Sequence, residues 1–523
     1  MSVRSVEIQV DGARLETEPD ITVAAALLNA NVVGFRTSVR GEPRAPLCGM
    51  GVCYECRVTI DGVAHQRACM RVVAPGMRVG TRGNEPPSAT GSAGATSDRV
   101  DVAVIGAGPA GIAAATRAAE SRPGARVVVI DEGIGPGGQI WRPHAHGTAS
   151  GAAAQWIDRL ERSGAIVHRA TAVVDVERTE HGFTLRAESH DRTLSIESRA
   201  IVLATGARER FLPFPGWTLP NVFGVGGAQA LLKNGTSFRG KRVVIAGTGP
   251  LLLPVAASLA RAGARVQVVA EQAPRGQVTR FAAGLWRTPA RLAQAISYRS
   301  AFLRTPYSTG NWIVRADGDT SVRAVTLTDG SRARTVECDV LCAAFGLVPN
   351  TALASLIGCE IRDDTVVVDE RQATTVSGVY CAGEPTGIGG VDLALVEGEI
   401  AGLAAAGSAA DARLPGRQAN FRREARALDR AFALRPELKA LASDDTILCR
   451  CEDVPSGDVD PAWSPRQAKL YIRVGMGPCQ GRICGGALEC LAGWPADAKR
   501  PPIQPARLST LATDVDVITQ PNS

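Results

Sequence analysis

The chain has 523 residues, 45% of them apolar and 21% charged, with a formal net charge of +6, a balance that suits three or four ordinary globular domains. No lysine or arginine run tracks a nucleic acid backbone, and every long apolar run is broken by Gly, Pro or Arg before it could span a bilayer. Nucleic acid is therefore excluded as a partner, no transmembrane segment is expected, and the expected location is cytoplasmic.

Residues 1–85 read as a small unit with short strands at Val6–Val10, Arg57–Ile60 and Met77–Gly80 around a helix over Val23–Ala30, which Thr22 is placed to cap. Within it, CGMGVCYECRVTIDGVAHQRAC sets Cys48, Cys53 and Cys56 as C-x4-C-x2-C with Cys69 further on, the plant-type spacing for a 2Fe-2S cluster. Gly49 and Gly51 keep the loop small enough for backbone N–H groups to turn toward the sulfurs. The alternatives are structural zinc, which prefers two short cysteine knuckles, and a Cys53/Cys56 dithiol, which leaves Cys48 and Cys69 without a role. Asn84–Asp98, NEPPSATGSAGATSD, has no periodicity and reads as a flexible linker, bounded at 86–98.

Next comes RVDVAVIGAGPAG, in which Asp101–Ile105 reads as a buried strand and Gly106, Gly108 and Gly111 as a G-x-G-x-x-G turn that opens a helix. The turn predicts a dinucleotide cradle, with the pyrophosphate on the helix amino end and Asp131, at the end of the following strand, on the ribose. The glycines of GPGGQIWR, with Gly138 and Gln139, let a second loop approach the pyrophosphate or a flavin ring, and AIVLATGAR is a strand ending in the Thr205–Gly206 turn.

Lys241–Glu271 repeats the strand, glycine turn, helix, strand and acid order, which predicts an inserted second dinucleotide fold. Leu252 replaces its third glycine and Pro254 follows, so whether it binds a nicotinamide nucleotide stays open. Val336–Pro349 reads as a strand returning to the first fold, and Cys338, Cys342, Cys359 and Cys381 as core residues. In Thr375–Gly402 the Gly383–Glu384 turn offers an acid to a ribityl hydroxyl, and the helix start beyond it faces the flavin pyrimidine.

Ala419–Leu434 is an amphipathic helix with Arg422, Arg423, Arg426 and Arg430 on a solvated face. Cys449 and Cys451 then pair with Cys479 and Cys484, giving C-x-C and C-x4-C, for which a second 2Fe-2S site is the leading reading and zinc the alternative; Cys490 is left over. Six scattered histidines offer no base, and no nucleophilic constellation is present, so no catalytic residue is assigned.

These segments resemble a family. The Cys48–Cys69 unit is similar to the ferredoxin-like subunit of heteromeric opine, hydroxyproline and hydrogen cyanide-forming dehydrogenases. GPGGQIWR, ATGARERFLPFPGW, GIGGVDLALVEGEIAG and MGPCQGRICG resemble the flavoprotein alpha chain of those enzymes and part of the sarcosine oxidase alpha chain, and the last cysteines resemble bacterioferritin-associated ferredoxin.

The resemblance implies a multidomain α/β chain: a two-dinucleotide-binding-domain flavoprotein fold with an N-terminal β-grasp 2Fe-2S ferredoxin-like domain and a small helical C-terminal 2Fe-2S domain. The boundaries are 1–85, a linker at 86–98, 99–216 with 336–406, an insertion at 217–335, a helical connector at 407–440 and 441–523. It implies FAD, or else ATP or NAD, at the first cradle, two 2Fe-2S clusters, and FMN at a subunit interface. The implied partner is a flavin-containing, D-amino acid oxidase-like beta subunit that oxidises a C–N bond, with electrons leaving to a quinone or cytochrome at the inner membrane face. The rival readings are a self-contained NAD(P)H-dependent ferredoxin-type reductase and a nucleotide-binding scaffold subunit. Two residues depart from the pattern: Glu384 stands where many such flavoproteins have Asp, and Leu252 spoils the second cradle.

Overall fold

Val6–Val10 alternates exposed and buried residues and pairs antiparallel with Ala13–Thr17, so Ile8 and Val10 turn into a core closed by the helix Val23–Asn29. The computed structural model describes residues 5–82, 94–494 and 500–511. The first sheet has the order Ala13–Thr17, Val6–Val10, Arg78–Gly80, Arg57–Ile60, Val63–Arg67. Thr22 caps the helix as expected, its hydroxyl accepting from the Ala25 N–H at 3.3 Å, and the helix stops one residue early with Ala30 as its C-cap.

The second sheet is built on the strand Gly94–Ile105, parallel to Val127–Ile130 on one side and to Arg192–Leu203 on the other, with Val379–Cys381 beyond. Here the linker boundary is corrected. Residues 94–98 are strand, because Arg192–Ile196 gives their backbone a parallel ladder to join; the rest of the expected linker, 86–93, lies outside the described residues, as do 83–85. The helix Pro109–Ser121 covers this sheet and is crossed closely by Val391–Ala405: a Cβ on Gly398 or Gly402 would stand 2.2 Å from the carbonyl of Ala110 or Ala114.

The inserted fold is a parallel sheet ordered Val222–Gly224, Val340–Ala344, Arg242–Gly247, Arg265–Glu271, Tyr307–Thr309. This corrects a second boundary. Val340–Ala344 does not return to the first fold; it pairs with Val243–Gly247, since both strands are buried on both faces and satisfy each other, so the insertion runs to Ala344 rather than 335. The antiparallel pair Ala207–Glu209 and Leu347–Pro349 then joins the two folds.

The helix expected at 419–434 spans Leu414–Ala431 instead. Its arginine face is not uniformly solvated: Arg422 reaches back to the buried Glu397 at 2.9 Å, while Arg423, Arg426 and Arg430 are exposed. In the C-terminal unit, Ile447–Cys449 pairs with Val454–Pro455, followed by helices Pro465–Ile472 and Cys484–Ala492. One continuous apolar core contains Leu47 and Tyr54 of the first unit, Val222 and Leu341 of the insertion, and Leu448 and Ala487 of the C-terminal unit. Cys338, Cys342, Cys359 and Cys381 are buried, as read from the sequence. Among the described residues no helix is long and apolar enough to cross a membrane.

Candidate functional site

Gly106 has a positive φ of 105°, and a Cβ there would lie 2.3 Å from the Ala204 carbonyl; at Gly111 it would lie 1.8 Å from the Gly106 carbonyl. Only glycine lets strand, turn and helix meet here. Gly108 has nothing within 4 Å of its missing side chain, because that direction opens into a cavity of about 520 Å³. Gly106, Gly108, Asp131, Gly138, Gln139, Gly206 and Glu384 all line this cavity. Gly111 and Gly383 do not; they are packing positions, and a Cβ on Gly383 would stand 2.8 Å from that of Ala110.

The acids divide their tasks in a way the sequence did not reveal. Asp131 accepts from the Ala107 N–H at 2.9 Å and the Gly133 N–H at 3.1 Å, so its carboxylate braces the glycine turn. Glu132, one residue on, also lines the cavity and is gripped by Arg67 of the N-terminal unit. Glu384 accepts from the N–H groups of Gly389 and Gly390 at 3.2 and 2.9 Å, and burial pushes its carboxyl up to about 7. Beneath it the buried Glu397 accepts from the Gly383 N–H at 3.0 Å and from Arg422. Lys233 donates to the carbonyls of Gln139 and Ile140, pinning the second glycine loop. Glu209 accepts from Gly226 and Gly227 at the start of the helix Val225–Lys233, and burial raises it to about 7.

The cavity ends against both cysteine loops. Met50, Val52 and Tyr54 line it from between Cys48 and Cys56, and Gln480, Gly481 and Cys484 line it from the C-terminal unit. All eight cysteines are buried and stand two by two. Cys48 and Cys53 are 3.2 Å apart, and Cys56 hydrogen-bonds Cys69, Cys449 bonds Cys484, and Cys451 bonds Cys479. Sharing one proton pushes Cys48 up while Cys53, despite burial, is held down. Cys479, hydrogen-bonded by Cys451, is lowered to about 6. Backbone N–H groups of Met50, Cys53 and Glu55 point at sulfurs at 3.4 Å, as the small loop predicted.

Within each quartet the two pairs also lie near each other, Cys69 close to Cys48 and Cys53, and Cys484 close to Cys451 and Cys479. Four thiols in two close pairs have the chemistry of the donor set of a dinuclear iron-sulfur site, in which each iron takes two thiolates.

The second cradle is different. Glu271 is fully buried and accepts from the Gly249 N–H and the Ala273 N–H, both at 2.8 Å, so it closes its own glycine turn. Leu252 is fully buried where the helix Leu252–Arg261 begins. Across the mouth lies Phe432–Arg435: Thr248 donates to the Phe432 carbonyl at 2.8 Å, Gln272 to the Ala433 carbonyl at 3.1 Å, and Arg435 covers the Trp312 ring at 3.7 Å.

A nucleotide cradle interrupted by a second, similar fold defines an oxidoreductase of the two-dinucleotide-fold type. Residues 100–410 match the pyridine nucleotide-disulphide oxidoreductase family, and the chain belongs to it; residues 3–84 match the 2Fe-2S iron-sulfur cluster binding domain. An opine oxidase subunit of Rhizobium meliloti (strain 1021) is 34% identical over 464 residues, covering 80% of this chain and 99% of the relative. The HcnB subunit of hydrogen cyanide synthase from Pseudomonas aeruginosa is 31% identical over 422 residues, 73% of this chain and 90% of the relative. The crystal structure of L-proline dehydrogenase from P. horikoshii shares the fold with a TM-score of 0.72 at 20% identity, covering 98% of both chains.

Proposed function

We propose that this chain is the electron-transferring flavin and iron-sulfur subunit of a heteromeric dehydrogenase acting on an amino acid or opine. The observation that carries the reading is that one cavity runs from a nucleotide cradle to two buried cysteine quartets. In this reading Gly106 and Gly108 bring backbone and helix end to the pyrophosphate, Asp131 holds the turn closed, and Glu132 faces the ribose. Gly138, Gln139 and Gly206 wall the nucleotide, and Glu384 with the Glu397-braced Gly383 turn shapes the end nearest the helix Val391–Ala405. FAD, when bound, supplies the conversion of two-electron into one-electron chemistry. Cys48, Cys53, Cys56 and Cys69 hold one 2Fe-2S cluster, and Cys449, Cys451, Cys479 and Cys484 a second.

The relatives named above are subunits of an opine oxidase and of a hydrogen cyanide synthase, which supports substrate oxidation on a partner. That partner is a D-amino acid oxidase-like flavoprotein, with FMN at the shared interface and a quinone or cytochrome as acceptor. The test is the full chain, anaerobically prepared and analysed for metal and released nucleotide. About four irons and one FAD per chain are expected; zinc in place of iron would end the cluster reading, and ATP or NAD in place of FAD the flavin reading. Co-purification with a second flavoprotein is expected, and a lone chain active on an amino acid would overturn the need for a partner.

A further inference from the structure

Between Cys53 and Cys56 lies Glu55, and between Cys449 and Cys451 lies Arg450; ligand spacing marks neither of them. In the structure they meet. Arg450 Nε donates to Glu55 Oε2 at 2.9 Å, and the two side chains are 3% and 1% exposed. Arg36 closes the bridge a second time, one nitrogen donating to Glu55 Oε1 at 2.5 Å and to the Arg450 carbonyl at 3.0 Å. The contact is fixed from both sides: Arg450 also donates to the Trp217 carbonyl at 2.7 Å, and Asp453 accepts from Arg44 at 2.7 Å and from the Arg40 N–H at 2.9 Å.

Burying charges is costly, and an apolar contact would join two domains as well. These charges instead stand inside the two cysteine motifs, Glu55 next to Cys56 and Arg450 next to both Cys449 and Cys451. A continuous path of bonds and hydrogen bonds thus runs from one quartet to the other without entering the cavity. Electrons tunnel more readily through bonds and hydrogen bonds than across gaps.

We propose that Glu55 and Arg450 are positioning residues that join the two cysteine sites into one redox unit, so that the clusters exchange single electrons directly. The inference rests on both quartets holding clusters, as proposed above. In the exchange one cluster is oxidised by one electron and the other is reduced by one. No proton moves, and the reduced flavin of the proposed function supplies the electron.

The experiment uses the full chain. Iron analysis comes first: about two irons per chain would remove the second site and the proposed function's second cluster, whatever Glu55 does. With about four, the electron paramagnetic resonance of the fully reduced wild type is expected to show two 2Fe-2S signals; a single signal would leave one quartet without a cluster and overturn the bridge. Electron redistribution after flash photoreduction is then compared in Glu55→Gln, Arg450→Gln and the double variant. Each single change is expected to slow it about tenfold with iron retained, and the double no further, because both break the same bridge. Wild-type rates, or additive slowing, overturn the proposal. Glu55→Asp keeps the charge but shortens the reach; it gives the same slowing if the glutamine variants fail to fold, and a wild-type rate there refutes the bridge.

Discussion

Glu271 keeps a carboxyl where water does not reach, and burial raises it from 4.5 to about 7. Between these values the folded chain holds a proton that the unfolded chain has released. Its contribution to stability is therefore fully present below about pH 4.5, falls as pH rises toward 7, and is flat above, by about 3 kcal/mol at most. Glu271→Gln is expected to flatten the melting temperature between pH 5 and 7, and an unchanged slope would assign that slope to other groups. The cradle glycines make a sharper pair. Gly111→Ala forces a Cβ against the Gly106 carbonyl and is expected to cost about 1–3 kcal/mol in thermal or denaturant unfolding, with loss of bound nucleotide. Gly108→Ala meets nothing in the protein, so stability stays while nucleotide content falls. Such glycines and the cysteine spacings were legible because turn geometry and ligand spacing are local. Glu132 and Glu397 were not: their roles depend on Arg67 and Arg422, which the chain brings in from elsewhere.

At the scale of elements, the repeated strand, glycine turn and helix announced both dinucleotide folds, yet two boundaries moved. Periodicity marks a strand but not its neighbour, so the sequence could not assign Val340–Ala344 to the second sheet or tell that residues 94–98 find a ladder in Arg192–Ile196. The segment Phe432–Arg435 was equally hidden, since its partners Thr248 and Gln272 lie in another domain. Its place across the second cradle gives a direct expectation. Anaerobic addition of NADH to the full chain leaves the flavin absorption unchanged, and rapid bleaching would restore the reading as a self-contained reductase.

For the whole molecule, the contact between the first and last cysteine units is built on buried charge, from Arg36, Arg44, Glu55, Arg450 and Asp453. Arg44 and Asp453 are 2% and 1% exposed, and Asp453→Ala leaves the buried guanidinium with Glu42 alone, a half-exposed partner at 2.7 Å, so stability is expected to fall by about 1–3 kcal/mol in denaturant unfolding. A loss under about 1 kcal/mol would show that the contact opens in solution. Glu55 and Arg450 are 395 positions apart in the chain. During synthesis the N-terminal thiols therefore emerge long before the arginine that pairs with Glu55 beside them. The buried contact at Glu55 is expected to close only once Arg450 has been made, and a nascent chain stalled before Arg450 would keep its first four sulfurs more open to chelators and alkylating reagents than the full chain does.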